Sequence, residues 1–194
     1  MWSQISPGLR INIFLTLLLG IAYPLAITGI CQVVFPKQAN GSLITQGDKV
    51  IGSELIGQNF TKPEYFQPRP SGAGSDGYDG TSSGASNYGP TNQKLIDRVK
   101  ASVETFRKQN PDFQGPIPGD LLTASGSGLD PHLTPEAADA QASRVAKARG
   151  VVAGQIQQLI DQFTEGRDLG FLGEPRVNVL LLNLALDQRY PMSK

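Results

Sequence analysis

INIFLTLLLGIAYPLAITGICQVVF, residues 11–35, holds no charged side chain, and none occurs anywhere between Arg10 and Lys37. Fourteen of its 25 residues are Leu, Ile, Val or Phe. At roughly 0.3–0.6 kcal/mol each, these side chains favour insertion into a bilayer by about 4–8 kcal/mol, with no charge in opposition. Coiled as a helix, the stretch reaches about 37 Å, enough for a hydrocarbon core of about 30 Å with some tilt. Gly20, Pro24 and Gly29 lie inside it, and such breakers are tolerated in lipid. Asn12, Thr16, Thr28 and Gln32 offer hydrogen bonds to neighbouring helices.

A cleaved signal peptide has a shorter apolar region and a small-x-small cleavage site; this run is longer, and no Ala-x-Ala follows. A lipoprotein site needs a small residue before the cysteine, where Ile30 precedes Cys31. A retained single span is therefore expected, with residues 1–10 a short tail, 11–35 the transmembrane helix and 36–194 a soluble domain. Arg10 on one side is balanced by Lys37 and Lys49 on the other, so positive charge alone does not orient it. The chain carries 17 basic and 17 acidic residues, which gives no basic field for nucleic acid. One cysteine and one histidine leave no material for a disulfide framework or a Cys/His metal site.

The soluble part reads as α+β with long Gly/Pro-rich loops. Ser42–Thr45 and Lys49–Gly52 flank Gln46-Gly47-Asp48 and suggest a β-hairpin. Residues 68–93 are dominated by Gly, Ser, Asn, Asp, Pro and Thr and read as a long loop, as do residues 111–135. Loops of that length in a compact domain tend to carry function or to be disordered. Lys94–Asn110 places Leu95, Val99, Val103 and Phe106 on one helical stripe, and Pro111 stops it. Thr134, Pro135 and Glu136 spell a helix start that leads to Gly150. Val152, Ile156, Leu159, Ile160 and Phe163 mark a further amphipathic helix. Arg176–Leu186 is apolar on both faces, which suits a central strand covered on both sides. Asn178 and Asn183 within it are costly to bury unless bonded, and so are expected to tie down a loop backbone.

Catalytic motifs are sparse. The nearest approach to a P-loop is Gly84-Ala85-Ser86-Asn87-Tyr88-Gly89-Pro90-Thr91, where Pro90 stands in place of the lysine that would reach the phosphates. There is no Gly-x-Ser-x-Gly elbow. His132 could be joined with Asp130 and Ser125 or Ser127 into a triad, but Asp130-Pro131 reads as a turn with His132 on a surface loop. Asp76 and Asp79 lack the spacing and terminal Glu of a calcium loop. Arg144, Lys147 and Arg149 suit the C-terminal end of a helix dipole or an anion site, with Gln141 nearby.

An ordered series of short motifs carries a family resemblance. After the span come Asn40-Gly41-Ser42-Leu43-Ile44 and Gly52-Ser53-Glu54-Leu55-Ile56-Gly57-Gln58-Asn59-Phe60. Tyr65-Phe66, Arg69-Pro70-Ser71 and Ser86-Asn87 follow, then Leu122-Thr123-Ala124-Ser125-Gly126-Ser127-Gly128-Leu129-Asp130. Arg144-Val145-Ala146-Lys147-Ala148-Arg149, Asn178-Val179 and Leu182-Asn183-Leu184-Ala185-Leu186-Asp187 complete it. The series resembles the C subunit of the bacterial potassium-transporting P-type ATPase, the KdpC family, over nearly the whole chain. The family often has Gly-Gly before the Ser-Asn pair, and this chain has Gly84-Ala85.

The resemblance implies a non-catalytic accessory subunit of a high-affinity K⁺ uptake complex in the bacterial inner membrane. Its amino terminus would be cytoplasmic and its soluble domain periplasmic. Its partners would be a channel-like K⁺-translocating subunit, an ATP-hydrolysing P-type subunit and a small single-span subunit, with the lipid membrane around them. Its role would be assembly or stabilisation, raising ATP affinity or K⁺ access of those partners. ATP and K⁺ would be handled by the complex, with no cofactor and no metal held by this chain. The polar loops would dock on a partner through Arg69, Ser71, Ser86, Asn87, Ser125, Ser127 and Asp130, and the span through Gly20, Gly29, Asn12 and Gln32. One alternative is a nucleotide-binding regulatory subunit using Gln141, Arg144, Lys147 and Arg149. A remote one is a membrane-anchored hydrolase.

Overall fold

The computed structural model describes residues 2–192. The chain forms two compact bodies, residues 1–51 and residues 52–194. The first opens with a helix of 33 residues over Trp2–Val34, with a window of 18 residues whose mean hydropathy is 2.1, so most of the expected short tail is helical too. It consists of α1 (Trp2–Leu17), one π turn (Leu18–Ala22) and α2 (Tyr23–Val34). The wide turn lies where Pro24 has no N–H to give to the Gly20 carbonyl and its ring would press on that oxygen. None of the side chains of this helix is buried within the chain. The polar ones find local partners: Thr16 Oγ1 donates to Asn12 Oδ1 at 3.3 Å, and Asn40 Nδ2 to Gln32 Oε1 at 3.2 Å. A short helix, α3 (Pro36–Ala39), precedes the expected hairpin. The hairpin joins β1 (Leu43–Gln46) to β2 (Lys49–Ser53), and Gly47 turns the chain at φ 61°.

The second body is built around a small antiparallel sheet in the order β3 (His132–Leu133), β5 (Arg176–Asn178), β4 (Thr164–Glu165). Leu133 and Thr164 both lie opposite Val177. Against this sheet pack α5 (Pro135–Arg149), α6 (Ala153–Phe163) and α7 (Val179–Arg189). α5 starts as its cap signals predict: Thr134 Oγ1 accepts the Ala137 N–H at 3.2 Å, and Pro135 occupies the first turn. It ends at Gly150, whose φ of 67° is the left-handed conformation a helix C-cap requires. Ala137, Ala138, Ala140, Ala142 and Ala146 are all buried on α5; their small side chains let α6 approach closely. Ile156, Leu159 and Ile160 of α6 complete the contact, joined by Val145, Leu182, Leu186 and Phe66. Each of these larger apolar side chains, fully buried, contributes about 1.5–3 kcal/mol. α4 (Gln93–Gln109) matches the expected helix, but only Phe106 of its stripe is fully buried.

The apolar segment 176–186 departs from expectation. It makes three residues of strand and then, at Asn178, turns into α7. Asn178 Oδ1 accepts the Leu181 N–H at 3.1 Å and caps the helix. Beyond Val179 the segment holds Leu, Ala and Asn with no β-branched residue, and leucine and alanine are strong helix formers. An apolar run buried all round fits either element, so periodicity alone misreads it. His132, expected on a surface loop, is half-buried on β3 opposite Asn178.

Candidate functional site

Two long loops are bonded to each other across the chain. Ser71 Oγ donates to the Gly128 carbonyl at 2.6 Å and accepts the Ala73 and Tyr78 N–H groups at 3.1 and 2.8 Å. The Gly84 N–H donates to the Ser127 carbonyl at 2.8 Å, and Ser83 Oγ donates to the same oxygen at 3.1 Å. Gly128 sits at φ 70°, and a Cβ there would lie 2.7 Å from the Gly84 oxygen and 2.8 Å from the Ala73 nitrogen. Only glycine lets the two backbones approach so closely. Ser125 Oγ and Ser127 Oγ accept the N–H groups of Gly128 and Leu129, so both hydroxyls are built into the turn.

Arg69 closes the other end of this knot. Its Nη1 meets Asp130 Oδ2 at 2.9 Å, while Asp130 Oδ1 accepts the His132 N–H at 3.0 Å and lies 3.3 Å from His132 Nδ1. Burial pushes the Asp130 carboxyl up. The hydrogen bonds from the His132 side chain and backbone, with the Arg69 charge, outweigh that and hold it below the usual carboxylate range. Tyr78, at φ 58°, donates to the Arg69 carbonyl at 2.9 Å, and burial raises its phenol first, with the Asp130 charge adding to it. The structure thus brings Arg69, Ser71, Ser125, Ser127 and Asp130 together. Ser86 accepts instead from Arg98 Nη1 of α4 at 3.0 Å, and its neighbour Asn87 turns the chain at φ 49°.

Three of the four candidate anion-site residues on α5, Gln141, Arg144 and Arg149, clasp the segment 63–67. Gln141 Oε1 accepts the Gln67 N–H at 2.8 Å, and its Nε2 donates to the Gln67 carbonyl at 3.1 Å. Arg144 Nη1 donates to the Pro63 and Tyr65 carbonyls, Nε to Asn110 Oδ1 and Nη2 to Gln141 Oε1, all between 2.6 and 3.0 Å. Burial lowers the Arg144 guanidinium to about 10, so it remains a cation at neutral pH. Arg149 stacks 5.0 Å from the Tyr65 ring centroid and bonds the Glu64 and Tyr190 carbonyls and Asp187. Lys147 is the exposed member, 2.6 Å from Asp112. Asn183 finishes the clasp, accepting the Phe66 N–H and donating to the Phe66 carbonyl, each at 2.9 Å. Asn178 Nδ2 holds the Glu54 carbonyl at 2.8 Å. Both amides tie down loop backbone, as their burial in an apolar run predicts.

Between this clasp and the loop knot lies a cleft of about 500 Å³ lined by Arg69, Ser71, Tyr78, Arg98, Ser102 and Gln141 among others. A different feature escapes the sequence reading: residues 166–175 project Leu169, Phe171 and Leu172 into solvent, exposed by 83, 69 and 49%. The signal for it was the bracketing of three apolar residues by Gly166, Gly170 and Gly173, which places them on a turn instead of in the core.

The comparisons with known proteins agree with the family resemblance. A family model described as K⁺-transporting ATPase, c chain (KdpC), matches residues 5–188. A protein of Rhodospirillum rubrum named potassium-transporting ATPase KdpC subunit is 56% identical over 193 residues, covering 100% of both chains. One of the same name from Myxococcus xanthus is 54% identical, covering 98% of this chain and 90% of its own. Another from Koribacter versatilis is 54% identical, covering 99% and 98%.

Proposed function

The chain belongs to the KdpC family of K⁺-transporting ATPase subunits, and we propose that it serves its complex as a non-catalytic accessory subunit. The observation that carries this reading is that the apolar helix Trp2–Val34 is the one candidate span among the described residues. A lone helix encloses no path for an ion, so K⁺ must cross through other subunits. The sequence also lacks the Asp-Lys-Thr-Gly-Thr type of phosphorylation motif, which supports the reading that ATP hydrolysis belongs to a partner. The partners are a channel-like K⁺-translocating subunit, a P-type catalytic subunit and a small single-span subunit. The amino terminus is cytoplasmic and the second body periplasmic. That body acts by stabilising the assembly and by favouring K⁺ access; any effect on ATP affinity must travel as a coupling free energy through the partners, because hydrolysis is on the opposite side of the membrane.

The test is purification of the tagged full chain in a gentle detergent from its host under K⁺ starvation, with mass spectrometry of what accompanies it. Recovery of a P-type ATPase and a channel-like subunit is expected, and recovery of the chain alone across several detergents would overturn the reading. Arg69→Ala and Asp130→Ala, which open the loop knot, should lower complex yield or K⁺ uptake; unchanged values in both would remove the loops from docking.

A further inference from the structure

We infer that the loop 166–175 is a preformed apolar plug that seats in an apolar recess, rimmed by neutral or basic groups, on another protein subunit of the ATPase. The inference rests on the accessory-subunit reading and adds to it the surface used. Arg69, Ser71 and Ser83 of one polar loop bond the other, whereas this loop leaves Leu169 and Phe171 largely exposed and Leu172 half-exposed. Leu169, at 83% exposure, is also held at φ 53°, a conformation that costs a side-chain-bearing residue about 1–2 kcal/mol. The surroundings enforce it. Asp168 and Leu172 exchange backbone hydrogen bonds at 2.8 and 2.9 Å. Arg176 reaches Glu165 at 3.0 Å and Asp168 at 3.4 Å, and Arg167 reaches Glu174 at 2.6 Å.

That construction decides between occupants. A fixed, strained presentation lowers the ordering cost of binding to a complementary recess; a fluid bilayer offers no shape to match. The charges point the same way. Residues 165–176 carry three acidic and two basic side chains, a net −1 next to the apolar tip. Membrane-seeking segments instead surround their apolar residues with Lys and Arg to meet anionic lipid. Phe171 at this tip is of the aromatic kind enriched at protein interfaces.

The experiment places the photoreactive residue p-benzoylphenylalanine at 171 in the full chain, co-expressed with the other subunits, and irradiates native membranes. The expected result is covalent linkage to one identified subunit of the ATPase, with no such linkage from the same probe at the exposed Lys100. Linkage from 171 to lipid alone, or none at all while the complex forms, overturns the inference. A second arm uses Leu169→Asp with Phe171→Asp. Both side chains are exposed, so the unfolding temperature should stay within a few degrees of wild type, while partner recovery falls about tenfold or more, the hot-spot scale. Undiminished recovery counts against the plug. If wild type itself recovers no partner, the accessory-subunit reading has failed, and the plug fails with it; if wild type recovers its partners and the variant does too, only the plug has failed.

Discussion

Replacing Arg144 by Met separates a structural guanidinium from a nucleotide-binding one. Met keeps much of the aliphatic packing and removes four hydrogen bonds, to Pro63, Tyr65, Asn110 and Gln141. Two of the orphaned acceptors are backbone carbonyls in part-buried contacts, each costing at most about 1–3 kcal/mol when left without a donor. The acceptors are all neutral, so no charge is orphaned, and the two carbonyls set a range of about 2–6 kcal/mol. Burial already lowers this guanidinium to about 10, so its removal returns some desolvation energy, and the expectation sits near the bottom of that range, about 3 kcal/mol. For a body of about 140 residues, each kcal/mol moves the midpoint by about 3 °C, so the unfolding temperature should fall by roughly 10 °C. Thermal unfolding of the full chain in detergent, followed by near-ultraviolet circular dichroism, reads this. Lys147→Ala is the control: its exposed pair with Asp112 is worth less than about 1 kcal/mol. A midpoint for Arg144→Met within about 2 °C of wild type, with ATP binding present in wild type and lost in the variant, would refute the structural assignment.

Three other substitutions probe the same body. Gly128→Ala combines a left-handed φ with contacts under 3 Å to Gly84 and Ala73 and should cost about 2–5 kcal/mol; urea unfolding that matches wild type would show that the loops do not interlock there. Asn183→Leu leaves the Phe66 N–H and carbonyl buried without partners and should lose about 2–6 kcal/mol in the same assay, with no loss counting against the clasp. Asp130 is held below its ordinary range in the fold, so its ionised form stabilises the native state above about pH 4, and that stability disappears as pH falls through the lower folded value. Asp130→Asn should therefore be less stable than wild type at pH 6 and show a flatter acid limb between pH 5 and 3; an identical limb in both proteins would remove Asp130 from that linkage.

Which elements the sequence reveals follows from the range of the interaction that makes them. The span announces itself because 25 consecutive residues share one solvent preference. α5 does so because Thr134, Pro135 and Gly150 act on backbone groups within a few positions of themselves. The start of α7 was as local as these, with Asn178 capping Leu181, yet the apolar residues on both sides masked it. In a segment buried all round, the cap carries the information and the hydrophobic pattern does not.

The site residues were legible one by one but not as an arrangement. Ser71 meets Gly128 across 57 positions and Arg69 meets Asp130 across 61, and no periodicity encodes such a pairing. Arg144 shows the consequence. At its end of α5 the dipole account requires only that it be cationic, and an anion-site account requires that it be accessible; the fold instead buries it against the carbonyls of Pro63 and Tyr65. A charge near a helix end is therefore ambiguous until its donors are followed to their acceptors. The reverse holds for Leu169 and Phe171. Their chemistry suggests the core, and only their exposure on an ion-paired, strained turn turns them from packing residues into a surface that another molecule must cover. A subunit of a larger complex has to keep its own loops satisfied and still offer something adhesive. In this chain the polar loops meet the first demand and the apolar turn is placed to meet the second.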